Sequence, residues 1–214
     1  VTVRDSIFAD NYSAASGGAI AAGSLTTEHT LFLRNHAVEN GGAFYADGTV
    51  RLWRSDFVDN RAGSQGGAGW TDSDSTVTID HARFRGNRAA ASHGGAVRLY
   101  QSTSAVLYSS FVHNTAGEAG GAIDAYQGSL RILSSRFDGN RAGTNGGEGT
   151  LDDGIGRAEI GIADLKVNDV GSTSGPATRP SPASRGAKAY ARNTDNRGCI
   201  LRSRRRDPWP HRRR

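Results

Sequence analysis

The sequence predicts an all-β fold, a right-handed parallel β-helix, and three observations carry that prediction. Phe-x-x-Asn followed by a Gly pair recurs six times in the same order. The steps from Phe to Phe are 24, 25, 27, 27 and 26 residues, and a period that steady marks one supersecondary unit stacked on itself. Apolar residues two apart precede each Phe, the period of a strand with one face buried, and no helical 3.6-residue pattern runs through the repeats.

The six copies are Phe8/Asn11 with Gly17-Gly18, Phe32/Asn35 with Gly41-Gly42, Phe57/Asn60 with Gly66-Gly67, Phe84/Asn87 with Gly94-Gly95, Phe111/Asn114 with Gly120-Gly121, and Phe137/Asn140 with Gly146-Gly147. Each unit opens on a strand. Val1, Leu25, Val50, Val77, Ser104 and Leu130 stand seven residues before the Phe. Val3, Thr27, Leu52, Ile79, Val106 and Ile132 stand five before it. Two before it the column is uniformly small (Ser6, Thr30, Ser55, Ala82, Ser109, Ser135), as an inward position with little room requires. The Phe column is expected to stack ring on ring down the interior.

After the Phe the chain must turn. Asn suits a turn because its side chain bonds nearby backbone and it tolerates left-handed conformations. When identical turns stack, the Asn side chains can also bond to one another along the axis. The small residue two after each Asn (Ser13, Ala37, Ala62, Ala89, Ala116, Ala142) fits a tight corner. The Gly pair allows positive φ or close backbone approach before the next strand, which runs Ile20-x-Ala22, Phe44-x-Ala46, Val97-x-Leu99 and Ile123-x-Ala125.

At least two short strands per unit, each paired with its equivalent one coil on, give parallel sheets. The handedness of parallel crossovers favours right-handed winding. The rise is roughly 4.8 Å per coil, so about six coils make a rod roughly 30 Å long. Leucine-rich repeats share the period but need a Leu-x-x-Leu-x-Leu frame that is missing here, and propeller blades need about 40 residues. The expected organisation is repeats over 1–154, a partial coil or cap over 155–170, and a largely disordered, basic Arg/Pro/Ser-rich tail over 171–214.

The paired motifs over residues 1–150, Phe-x-x-Asn with Gly-Gly-Ala and Ile, Val or Phe, resemble the repeats of the polymorphic outer membrane proteins known from chlamydiae. That resemblance implies a secreted passenger region, a right-handed β-helix of the pectin-lyase-like kind displayed at the bacterial surface, with adhesion as a role of several members. The pattern is departed from at Gly69, where an apolar residue is usual, and at Glu148-Gly149 in the sixth copy. Nothing after residue 150 alternates over segments of about 10 residues as the strands of an outer-membrane barrel do.

Charge is unevenly spread. Residues 1–150 hold 12 Arg against 14 Asp or Glu, whereas 151–214 hold 12 Arg and 2 Lys against 7 acids. The repeats therefore exert no bulk pull on nucleic acid. The tail, with Arg202–Arg214 at its end, is open to two readings. One is non-specific polyanion contact. The other is a lost reading frame in GC-rich DNA, since Arg outnumbers Lys by 24 to 2. Cys199 is the one cysteine, so neither a disulfide nor a cysteine zinc site is expected. No apolar run of about 20 residues is present to span a membrane as a helix. With no Met and Val1 already in strand-like sequence, the chain reads as an internal stretch of a secreted or surface protein.

No catalytic, cofactor or metal residues stand out. A column three before each Phe, Asp5, His29, Arg54, His81, Tyr108 and Ser134, is expected on an outward strand face, about one strand spacing apart, as a ligand-contact column or as ordinary surface. Asp72 and Asp74 read as loop formers. Asp152-Asp153 after Gly149 resembles, faintly, a calcium-binding nonapeptide, with Leu151 where Asp is wanted. Tyr45, Trp53, Trp70 and Tyr100 suit either stacking on sugars or packing across coils. The expected role is a structural and adhesive module meeting a host or cell-surface protein or glycan. A carbohydrate-active β-helix enzyme with part of its site elsewhere is the alternative.

Overall fold

A computed structural model of the chain describes residues 1–143 in full. It also describes the backbone of the short strands Gly149–Leu151, Ile155–Gly161, Asp164–Leu165, Ala191–Arg192 and Ile200–Leu201. The described residues contain strands and turns and no helix, so no helix is long and apolar enough to cross a membrane.

One turn shows how the sequence makes the coil. Thr49–Trp53 runs as a strand with Val50 and Leu52 inward. The chain bends at Arg54 (φ 46°), then runs as Asp56–Val58 with Phe57 inward. It bends again at Asp59 (φ 54°), passes Asn60, and forms the two-residue strand Arg61–Ala62. Gly66-Gly67 then leads into Gly69–Thr71. Ile, Val, Leu and Phe at alternate positions line the inside because strand side chains alternate between faces.

Equivalent segments of successive turns pair in parallel and build three sheets. The Phe strands form one sheet of seven, in register through Phe8, Phe32, Phe57, Phe84, Phe111 and Phe137. The two-residue strands after Asn form a sheet of six. The strands before the corner and those after the Gly pair share a sheet of eleven, joined through the long strands Val97–Leu107 and Ile123–Leu133. Ile155–Gly161 and Asp164–Leu165 extend two of these sheets in parallel, and Ala191–Arg192 pairs antiparallel with Ile200–Leu201. The chain is a parallel β-solenoid. Six motif copies bound five stacking intervals, so about five complete turns lie between Phe8 and Phe137 among the described residues. The sixth Gly pair, Gly146-Gly147, lies outside the described residues.

Two ladders run up the interior. Neighbouring Phe rings are 4.7–5.1 Å apart and within 8° of parallel. From Phe32 to Phe111 they are fully buried, each contributing about 1.5–3 kcal/mol by burial alone. The Asn side chains form the second ladder. Each Nδ2 donates to the next Asn Oδ1 at 2.8–3.0 Å, from Asn11 to Asn140. From Asn35 onward Nδ2 also donates to the carbonyl of the Phe one turn back. Each Oδ1 from Asn35 onward also accepts the backbone N–H of the preceding Asn. Both donors and both lone pairs of Asn35, Asn60, Asn87 and Asn114 are thereby satisfied without water.

The turn residue itself is not the Asn, as expected, but the residue before it: Asp10, Arg34, Asp59, Gly86, His113 and Gly139 all have φ between 52° and 67°. Asn is the buried partner that this bend delivers inward. Gly66-Gly67 shows why the glycine pair recurs. Gly66 has φ 63°, and a Cβ on Gly67 would overlap the carbonyl oxygen of Gly95 in the next turn. Gly69, the departure from the repeat, is filled from a neighbour: a Cβ there would overlap the ring of Phe44, which packs against Phe57 at 5.6 Å.

One inward position is mismatched to its surroundings. Thr27 is fully buried, in register with Val3 and Leu52, and its Oγ1 has no hydrogen-bond partner. Replacing it by the near-isosteric valine removes a buried, unpaired hydroxyl. Thr27→Val is expected to raise stability by about 1–2 kcal/mol, read as a higher denaturant midpoint at unchanged slope; an unchanged or lower midpoint would contradict this packing.

Candidate functional site

The column Asp5, His29, Arg54, His81, Tyr108, Ser134 does not lie on a strand face. All six residues sit at the first corner with φ of 46–53°. The corner is built by the small column that follows. Ser6, Thr30, Ser55, Ser109 and Ser135 each donate a side-chain hydroxyl to the carbonyl two residues back, spanning the left-handed residue. Several accept a backbone N–H from the preceding turn as well. Left-handed backbone in non-glycine residues is often functional strain, but here it recurs at every turn and is architectural.

The corner side chains are largely spent on their neighbours. His29 Nδ1 lies 3.8 Å from both Asp5 Oδ1 and Glu28 Oε1. The His29 ring lies 5.3 Å from Trp53, and the Arg54 guanidinium sits 4.7 Å over Trp53. His81 Nδ1 is 2.6 Å from Asp80 Oδ1, and its ring stacks on Tyr108 at 5.1 Å. Trp53 thus belongs to this corner and not with the other aromatics. Each is a local surface pairing, of the kind worth little in water.

The residues that converge lie on the outward face of the largest sheet, where the strands after the Gly pair run. Register places Ala21, Tyr45, Trp70, Arg98 and Asp124 in one column. Two residues on, Tyr100 and Tyr126 follow on the same side, because strand side chains repeat every second residue; the equivalent residues of the earlier turns, Gly23, Asp47 and Asp72, lie just past the ends of their strands. Four rings from the two columns make a continuous stack: Tyr45–Trp70 at 5.0 Å, Trp70–Tyr100 at 6.3 Å, Tyr100–Tyr126 at 5.2 Å. All four are half-buried. The buried Arg98 and Asp124 form an ion pair beside it, with the Arg98 guanidinium 5.3 Å from the Tyr126 ring centre.

Carboxylates flank the upper half of the stack. The Tyr45 hydroxyl donates to Asp72 Oδ2 at 3.1 Å. Asp72 Oδ1 accepts from the Ser73 N–H at 2.8 Å and faces the Ser73 hydroxyl at 3.2 Å, so this aspartate shapes its loop, as its position in the sequence predicts. Asp74 holds φ 60° in the same loop. Asp47 is exposed. Tyr45, Trp70 and Tyr100 were visible in the sequence as aromatics open to two uses. Tyr126, Asp47 and the Arg98–Asp124 pair were missed. The signal for Tyr126 was its place two residues after Asp124, matching Tyr100 after Arg98.

Among the described residues no group of three or more His, Cys, Asp or Glu is placed to hold a metal ion. The Asp152-Asp153 pair and the Arg202–Arg214 stretch lie outside the described residues. Comparison with protein-family models, curated proteins and solved structures gives no match.

Burial pushes the Tyr45 phenol above its ordinary pKa, reinforced by the hydrogen bond to Asp72 and by the negative charges of Asp72 and Asp47. The folded chain therefore holds this proton more tightly than the unfolded chain. Its contribution to stability is complete below the ordinary tyrosine pKa and is lost as pH rises through the raised one. Asp72→Asn is expected to lower the Tyr45 ionisation midpoint toward the ordinary value, followed by the ring-carbon shifts of Tyr45 in an alkaline NMR titration. An unmoved midpoint would mean that Asp72 does not bear on the phenol.

Proposed function

We propose that this chain is a repeat-built interaction module of a secreted or surface-displayed protein, a rod that takes part in adhesion by presenting its aromatic strip to glycans on a cell or host surface. The observation that carries the reading is the half-buried stack of Tyr45, Trp70, Tyr100 and Tyr126 with carboxylates at its edge. Ligand-binding surfaces combine apolar and aromatic area with a few placed polar groups, and aromatic side chains supply such area at little cost in conformational entropy. The resemblance of the repeats to those of polymorphic outer membrane proteins supports the same setting. The rod shape supports presentation, since a solenoid exposes long, regular faces.

Asp47 and Asp72, in successive turns beside the strip, favour a second reading, a carbohydrate-active enzyme of which this is a part. The two readings differ in what a polysaccharide panel shows. The module reading predicts retention on immobilised polysaccharide without new reducing ends or unsaturated products. Turnover that disappears in both Asp47→Asn and Asp72→Asn would overturn it in favour of the enzyme, and retention on none of the panel would remove the glycan from the proposal.

A further inference from the structure

Toward the first turn the aromatic stack stops at Tyr45. Tyr45 lays one face on Trp70; its other face looks toward the first turn, where its register partner is Ala21. Ala21 and Gly23 are both exposed, so nothing larger than a methyl group stands where the stack would continue. Rings in the stack are 5.0–6.3 Å apart, which makes the step over Ala21 about one ring thick. Asp47 leans over this step: its Oδ1 lies 3.5 Å from where a Cβ on Gly23 would stand.

The step therefore offers a flat aromatic face, a floor of two small residues, and one exposed carboxylate at the rim. The π face of Tyr45 is electron-rich and attracts the C–H dipoles on the apolar side of a sugar ring. A carboxylate takes hydroxyl donors in short, charge-assisted hydrogen bonds. Asp72, held by Tyr45 and Ser73, adds negative charge behind the ring without being free to turn toward the ligand. An acidic sugar would place a second carboxylate against Asp47, and like charges brought together at an interface repel.

We infer that the step over Ala21 and Gly23 is a subsite for one pyranose ring without acidic groups. The C–H face of the sugar lies on Tyr45, and its rim hydroxyls donate to Asp47. The inference rests on the reading of the strip as a glycan-binding surface and assigns that surface a subsite and a charge preference. It also explains the pattern of the column: a bulky ring at position 21 would continue the stack and leave no room for a ligand.

The test uses the whole chain and titration calorimetry with maltotetraose, cellotetraose and chitotetraose as neutral probes, trigalacturonate as the acidic one, and free arginine as a planar cation. At least one neutral probe is expected to bind and trigalacturonate is not. Ala21→Trp fills the step and is expected to weaken the neutral probe tenfold or more with an unchanged circular dichroism spectrum. Asp47→Asn, at an exposed position, is expected to weaken it at least threefold. Wild-type affinity in Ala21→Trp overturns the subsite, as does tighter binding of trigalacturonate or of arginine. If Ala21→Trp binds normally while Tyr126→Ala does not, the glycan surface stands and the subsite falls. If no saccharide binds the wild-type chain, both fall together.

Discussion

Parallel stacking puts each side chain directly on its counterpart one turn away, and that single constraint governs the rest of the molecule. At a strand spacing of about 4.8 Å, a repeated residue must tolerate contact with itself. Phe does so by ring stacking, Asn because an amide is both donor and acceptor in one plane, Ser through its hydroxyl, and Gly by having no side chain. A carboxylate or an ammonium in the same columns would face its own charge in a dry interior. The six motif copies are thus the residues that can be their own neighbours. Where a column is irregular, its neighbour compensates, as Phe44 fills the space that Gly69 leaves.

The same constraint shapes the surface. Left-handed corners at every turn force residues such as His29, Arg54 and Tyr108 outward, where they meet the next corner residue or the one beside it. Those contacts follow from the coil and carry no information about a ligand. The outward strip of the largest sheet differs because it is not periodic. Ala21, Tyr45, Trp70, Arg98 and Asp124 share a column yet repeat no single residue type. Departure from self-stacking marks the face on which something other than the coil's own regularity has set the sequence.

Much of the fold was legible in the residues. The Phe and Asn ladders, the small inward column and the close approach at the Gly pairs all follow from periodicity and from what each side chain can do. The corners were not legible. A residue three before the Phe has the polar character of an outward strand position, and only the hydroxyl at the next position, bonded two residues back, shows that the strand has ended. The aromatic strip was half legible: Tyr45, Trp70 and Tyr100 stood out by type. Their alignment crosses columns: Trp70 meets Tyr100 diagonally, two residues beyond Arg98, its partner in register.

The proposed function rests on the strip and not on the fold, since a solenoid of this kind supports unrelated activities. The strip can be trusted as a surface only if the turns stack in the register that the Asn ladder requires. Hydrogen exchange of the Asn side-chain amides, followed by NMR, tests that most directly. The account predicts that the Nδ2 protons of Asn35, Asn60, Asn87 and Asn114 exchange only with opening of the core, as slowly as the backbone amides of the Phe strands. Exchange of these protons at the rate of a solvent-exposed amide would contradict the buried ladder, and with it the register on which every surface column depends.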